Sequence, residues 1–336
     1  MEQKSVENLE EELRFKDKES TITKILSFIG HNIKFFLLPG SRIEELTKRE
    51  LEYEKSISKR KFIKRISSPL TFLGIIILFI VANIAVFPEW LSVFTYNQAS
   101  SGVFPGAWAP MTPEHPLGQT ILGRDVLARI IFGARSSIVI ALIAVSFSAT
   151  VGTIFGIIAA YYGGWRDSII MRIVDLMMSF PGLILAMVFV AILGRNWQNI
   201  MLAFSIIGIP LFARLIRGNV LQARELPYIQ AAKVDGAGNW RIMFQHVLPN
   251  IIQPIIIAFT FNISGVILSI AAFSFLGFSD PTLIEWGNDV SQGQRYLVTA
   301  PWASLFPGIM IVVTVLGFML LGDGLRDALD PRLKNL

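Results

Sequence analysis

The sequence predicts an all-α, polytopic membrane protein with six transmembrane helices, and three observations carry that expectation. Of the 336 residues, 53% are hydrophobic and only 16% are charged, too apolar a balance for a soluble chain of this size. Six predominantly apolar stretches contain no Asp, Glu, Lys or Arg, and each approaches or exceeds the roughly 20 residues that cross a bilayer. Basic residues gather beside alternate ends of those stretches, as the positive-inside rule requires. The net charge of +5 therefore reads as membrane topology and not as a surface for nucleic acid.

The six stretches run from Ser68 to Phe87, Ser136 to Trp165, Leu176 to Gly194, Asn196 to Ala213, Val247 to Ser279 and Tyr296 to Gly322. The longest exceed what a bilayer needs, so tilting, or kinking at Pro254 and nearby glycines, is expected. Lys59, Arg60, Lys61, Lys64 and Arg65 precede the first stretch and put the N-terminal side in the cytoplasm. Six spans return the C-terminus there. The same alternation places Arg166 and Arg172, and then Arg214, Arg217, Arg224, Lys233 and Arg241, inside, whereas a five-span count strands a basic loop outside.

Before the first span the chain is too charged for a secretory signal. Ile22, Ile25, Leu26, Ile29, Ile33, Phe36 and Leu37 fall at helical spacing, giving a helix that lies on the membrane or packs on its neighbours. After Pro39 and Gly40, Ser41 and Glu44 have capping-box spacing. Outside, Pro88 to Asp125 reads as one long loop and Asp280 to Thr299 as a second. The expected organisation is a cytoplasmic N-terminal extension over 1–66, a first transmembrane helix over 67–90 and an extracytoplasmic loop over 91–130. A core transmembrane domain over 131–325 contains a cytoplasmic loop at 221–248, and a cytoplasmic tail covers 326–336.

Signatures of catalysis are missing. The chain has no cysteine and only three histidines, His31, His115 and His246, far apart, which argues against a metal site. No G-x-x-x-x-G-K-[ST] loop is present to bind ATP, no G-x-S-x-G elbow, and no carboxylate in mid-span. Asp175, near Arg172 and Asp167, reads as a charge cluster at a helix end. Gly152 and Gly156 form a small-xxx-small pair for close helix packing. Asn219, Asn262, Ser264, Ser269 and Ser274 offer polar groups within spans, although such side chains often bond back to their own helix.

One segment stands apart, "YIQAAKVDGAGNWRIMFQHVLPN" from Tyr228 to Asn250. A helix is expected from Leu221 to Val234, a break at Gly236-Ala237-Gly238, an N-cap at Asn239 and a second helix to Pro249. Trp240, Met243, Phe244 and Val247 recur at i, i+3, i+4 and i+7, an apolar stripe opposite Arg241 and Gln245. Such a stripe packs on the chain's own spans or offers a rigid knob to a partner.

These residues resemble the EAA loop of binding-protein-dependent ABC importer permeases. Ala231-Ala232, Gly236 and Leu248-Pro249 keep the motif's spacing, and Gln230 stands where the motif has Glu. "HPLGQTILGRDVLARIIFGAR" (His115–Arg135), "FLGF" (Phe275–Phe278), "EWGN" (Glu285–Asn288), "PWASLFPG" (Pro301–Gly308) and "LLGDGLRDALDPRL" (Leu320–Leu333) are similar to the dipeptide, oligopeptide and nickel group, to the second of its two permeases.

The resemblance implies a type I ABC importer permease fold in the cell membrane. It implies a homologous permease as heterodimer partner, two ABC ATPase subunits that bind the ATP, an extracytoplasmic solute-binding protein and a peptide substrate. This chain itself would be no enzyme and hold no cofactor or metal. The coupling-loop residues it implies are Tyr228, Gln230, Ala231, Ala232, Gly236, Ala237, Trp240, Phe244, Leu248 and Pro249. Nickel complexes or oligosaccharides are the alternative cargo. A self-sufficient secondary transporter or channel, or a membrane scaffold, is the alternative class, and the lack of buried ionisable residues and inverted repeats speaks against the transporter.

Overall fold

The computed structural model describes residues 68–102 and 106–329. The N-terminal extension 1–66, with its apolar stripe and capping box, and the tail from residue 330 onward lie outside the described residues. Among the described residues the structure is helical, apart from one isolated antiparallel bridge between Gln119 and Asp125.

Helix α1 (Pro69–Val86) opens with Pro69 in its first turn and with the Ser68 hydroxyl accepting from the Thr71 N–H. The expected outer loop is partly folded into α2 (Pro88–Leu91) and α3 (Tyr96–Ser101), the latter started by a Thr95–Gln98 capping box. Helix α4 (Val126–Tyr162) begins inside the stretch 91–130 read as loop, because the Asp125 carboxylate caps it by accepting from the Ala128 N–H at 2.6 Å. Its 37 residues span about 56 Å, more than the roughly 30 Å hydrocarbon layer, so the helix is longer than a crossing needs.

The third expected span, Leu176–Gly194, is not one straight helix. Helices α5 (Gly164–Met178) and α6 (Gly182–Leu193) meet at 87°. Pro181 lacks an N–H and disfavours helical backbone at Phe180, so the chain unwinds there. Among the described residues five helical runs are long and apolar enough to cross a membrane, and the bent pair makes up to six.

Helix α7 (Trp197–Ala223) continues ten residues past the expected end at Ala213. The charge-free window stopped at Arg214, but Arg214 and Arg217 donate to Asp175 at 2.6 Å and Asp167 at 2.7 Å. The charge cluster expected among Asp175, Arg172 and Asp167 is thus two ion pairs between α5 and α7. Short α8 (Pro227–Val234) and α9 (Asn239–Arg241) follow. A π-helical turn (Ile242–Val247) and a 3-10 turn (Leu248–Ile251) lead into α10 (Ile252–Phe273). Pro254 makes no kink, since it lies in the first turn of α10, where its missing N–H costs nothing. The irregularity falls at Pro249 instead. At the end of the bundle away from α8 and α9, α11 (Trp286–Gly293) precedes the last span, α12 (Trp302–Leu329).

Close backbone approach organises the bundle. A Cβ on Gly152 would lie 2.6 Å from the Phe212 Cβ, and one on Gly156 2.6 Å from the Ala213 carbonyl oxygen, so α4 and α7 cross where only glycine fits. Gly324 of α12 meets Thr71 of α1 in the same way. The central core gathers Val145, Phe212, Ile267, Phe273 and Trp286. Polar groups on the spans largely turn inward on their own helices: Asn219 donates to Leu215 O, Asn262 to Ala258 O and Ser269 to Gly265 O. Among the described residues the buried hydroxyl of Ser264 has no partner, and Ser274 is buried at the C-terminal end of α10.

Candidate coupling surface

A second hydrophobic core lies at the end of the bundle where α4 and α7 terminate. Ile157 and Ala160 of α4, and Ile216 and Val220 of α7, meet Ile229, Ile242, Met243 and Val247 from the loop. Burial of these branched side chains holds the loop against the bundle, at about 1.5–3 kcal/mol for each large one. Tyr161 adds a hydrogen bond from its hydroxyl to Asn239 Oδ1 at 2.9 Å.

The chain turns twice to build this piece. Helix α7 ends at Ala223, so the single helix expected over Leu221–Val234 is broken at Arg224–Leu226, with Pro227 starting α8. Arg224 fastens the break: its guanidinium donates to the Ala160 carbonyl at 2.7 Å, across 64 residues, and to Glu225 at 2.9 Å. Gln230 closes the turn by donating to the Arg224 carbonyl at 3.2 Å, which a carboxylate could not do.

The second turn is a Schellman stop. The Gly236 N–H bonds to Lys233 O at 3.1 Å and the Ala237 N–H to Ala232 O at 3.0 Å, with Gly236 at φ +78°. The N-cap of the next helix is Gly238, not Asn239, which is its first residue and uses its side chain on Tyr161.

The expected apolar stripe divides. Met243 and Val247 are buried, Phe244 is half-buried, and Trp240 is 67% exposed, its ring 4.1 Å from that of Phe244. The π turn changes the angular step between residues, so i, i+3, i+4 and i+7 no longer share one face. Of the sequence-predicted residues, Ala232, Ala237, Phe244 and Leu248 pack against the loop core. Tyr228, Gln230, Ala231, Gly236, Trp240 and Pro249 are exposed. The loop thus presents an exposed rim of Tyr228, Ala231, Val234 and Trp240 over a fixed base.

Residues of the quoted motifs, joined by Ala99 and Asp289 from outside them, organise the opposite end. Arg129 Nε donates to Asp289 Oδ1 at 2.7 Å and its Nη1 to the Ala99 carbonyl at 3.0 Å. The Trp286 indole donates to Ile130 O at 3.0 Å and that of Trp302 to Gln119 O at 3.1 Å. His115 Nδ1 lies 2.9 Å from Asp125. Glu285 caps α11 by accepting from the Gly287 and Asn288 N–H groups. Burial pushes its carboxyl above the ordinary value, against the pull of those N–H groups and the Ser274 hydroxyl. Among the described residues no cluster of three His, Cys, Asp or Glu side chains could hold a metal.

An apolar helical bundle with a loop packed firmly on one end and a polar assembly at the other is the architecture of a polytopic membrane protein. Residues 152–335 match the family of binding-protein-dependent transport system inner membrane components, and the chain belongs to that family. It is 42% identical over 268 residues to the dipeptide transport system permease protein DppC of Alkalihalophilus pseudofirmus, covering 79% of this chain and 87% of that one. It is 40% identical over 269 residues to the glutathione transport system permease protein GsiD of Pectobacterium atrosepticum, covering 78% and 86%. The GsiD protein of Escherichia coli is 38% identical over 283 residues.

Proposed function

We propose that this chain is the permease subunit of an ATP-driven importer of peptides and forms half of the translocation pathway beside a homologous permease. The observation that carries the reading is the loop 221–248, held by its own core and by Arg224 while Tyr228, Ala231 and Trp240 face outward. A rigid, partly apolar projection of this kind suits docking into a groove of an ATPase subunit, one beneath each permease. The peptide cargo follows from relatives named for dipeptide and glutathione transport. In this reading the loop and both termini lie in the cytoplasm, ATP binds only to the ATPases, and a solute-binding protein delivers substrate on the other side. Gly152 and Gly156 keep α4 and α7 together as the bundle alternates between two packings, and ATPase closure favours one of them.

Purification of the tagged protein in mild detergent, with mass identification of the co-purifying chains, tests this. A second permease and P-loop ATPases are expected. Recovery of the chain alone, or uptake of labelled dipeptide without an ATPase, overturns the proposal.

A further inference from the structure

Helix α5 carries an apolar face with no counterpart in the bundle. Trp165, Ile169, Ile173 and Leu176 are between 51% and 70% exposed. Projected at 3.6 residues per turn they share an arc of about 80°, with Arg172 just beyond one edge and Arg166 just beyond the other. The opposite side turns to the protein through buried Val174 and through Asp167 and Asp175, paired with Arg217 and Arg214. Both acids of the helix are thus neutralised. Arg166 and Arg172 are exposed and enter no ion pair among the described residues, and the Arg166 guanidinium lies 4.3 Å from the Tyr162 ring centre.

The depth of this helix follows from its neighbours. Helix α6 runs alongside α7 in the opposite direction, with Gly182 against Ile207 at one end and Leu193 bonded to Asn199 at the other. Since α5 meets α6 at 87°, it crosses α7 instead of following it. Its two ion pairs agree: Asp167 and Asp175 are about 12 Å apart along α5, whereas Arg217 and Arg214 are about 4.5 Å apart along α7. From the outer start of α7 to Arg214 is about 27 Å, close to the thickness of the hydrocarbon layer. The crossing therefore falls at the membrane boundary on the side of the loop 221–248.

We propose that α5 is an interfacial helix that lies in the plane of the leaflet nearest the loop 221–248, where it binds anionic phospholipid headgroups through Arg166 and Arg172. The apolar arc enters the acyl region, and the two arginines rise from its edges to the phosphates, Arg166 beside the Tyr162 ring. Naming this leaflet the cytoplasmic one rests on the orientation proposed above. The lie of the helix does not, so the two can fail separately.

The absence of cysteine from the sequence permits single nitroxide labels at Trp165, Ile169, Ile173 and Leu176. The full chain is placed in nanodiscs of phosphatidylcholine with or without phosphatidylglycerol. Oxygen and nickel-chelate accessibility should place all four labels in lipid at depths within about 6 Å of one another. A steady gradient of about 16 Å from 165 to 176 means a half-span and overturns the proposal, as do labels shielded from both lipid and water, which mean a protein partner. Lipid co-purified from mixed bilayers should be enriched in phosphatidylglycerol, and R166Q/R172Q should reduce that enrichment at least threefold without changing the label depths. Unchanged enrichment overturns the headgroup assignment.

Discussion

Arg129 and Asp289 lie 160 residues apart and meet in a buried ion pair, each side chain 3% exposed, that ties the N-terminal end of α4 to α11. A second contact, from Arg129 to the Ala99 carbonyl, brings α3 into the same joint. Arg129→Met should leave the Asp289 carboxylate buried and unpaired, at a cost of about 3–5 kcal/mol. The double variant R129M/D289L should recover much of the loss. Thermal unfolding in detergent checks both.

The crossing of α4 and α7 makes a sharper steric prediction. Gly156→Val should lower the yield of folded protein, because its Cβ would press on the Ala213 carbonyl, whereas Gly218→Ala meets nothing within 4 Å. Helix propensity then makes the second change neutral or stabilising by up to about 1 kcal/mol. Size-exclusion profiles and melting temperatures separate the two outcomes.

Gly236 has φ +78° and open space around it, so substitution there is penalised by backbone conformation alone. Gly236→Asn, which visits the left-handed region readily, should keep ATPase capture and uptake. Gly236→Val should lose both at little change in melting temperature. Equal behaviour of the two variants would count against the Schellman stop as the feature that sets the loop.

Base and rim of the loop should respond differently. Ile229 is fully buried, and Ile229→Ala should cost about 2–5 kcal/mol of stability. Trp240 is 67% exposed, and Trp240→Ala should leave melting unchanged while weakening ATPase retention about tenfold or more. Calorimetry and a binding titration with purified ATPase test the split.

The carboxyl of Glu285 is raised by burial. A raised folded-state value means that the folded protein holds the proton more tightly, so stability declines as pH rises from the unfolded carboxyl value near about 4.3 and levels off above the folded one. Glu285→Gln should flatten that slope in melting curves from pH 4 upward.

Much of this architecture is legible locally. The charge-free stretches locate the spans because a bilayer demands about twenty apolar residues wherever it is crossed. Gly236 marks a helix stop in the sequence because the left-handed conformation selects its residue type. Other features escape a local reading. That the helix of the fourth stretch runs on past Ala213 is hidden because Arg214 and Arg217 are neutralised by acids on α5, and a charge pattern read along one strand of sequence cannot register a partner 39 or 50 residues away. The stripe from Trp240 to Val247 divides because a π turn alters the angular step that the periodicity assumed.

Local chemistry along the chain specifies an all-helical membrane protein, the order of its apolar segments and the position of its glycine-punctuated loop. Composition, helical period and turn chemistry act over a few residues. Only the tertiary structure decided that the third segment bends by 87° and that Arg224 anchors the loop to Ala160. It alone joined Arg129 to Asp289 and left one face of α5 uncovered. These outcomes depend on which distant surfaces pack together, and burial and charge pairing act between neighbours in space whatever their separation along the chain.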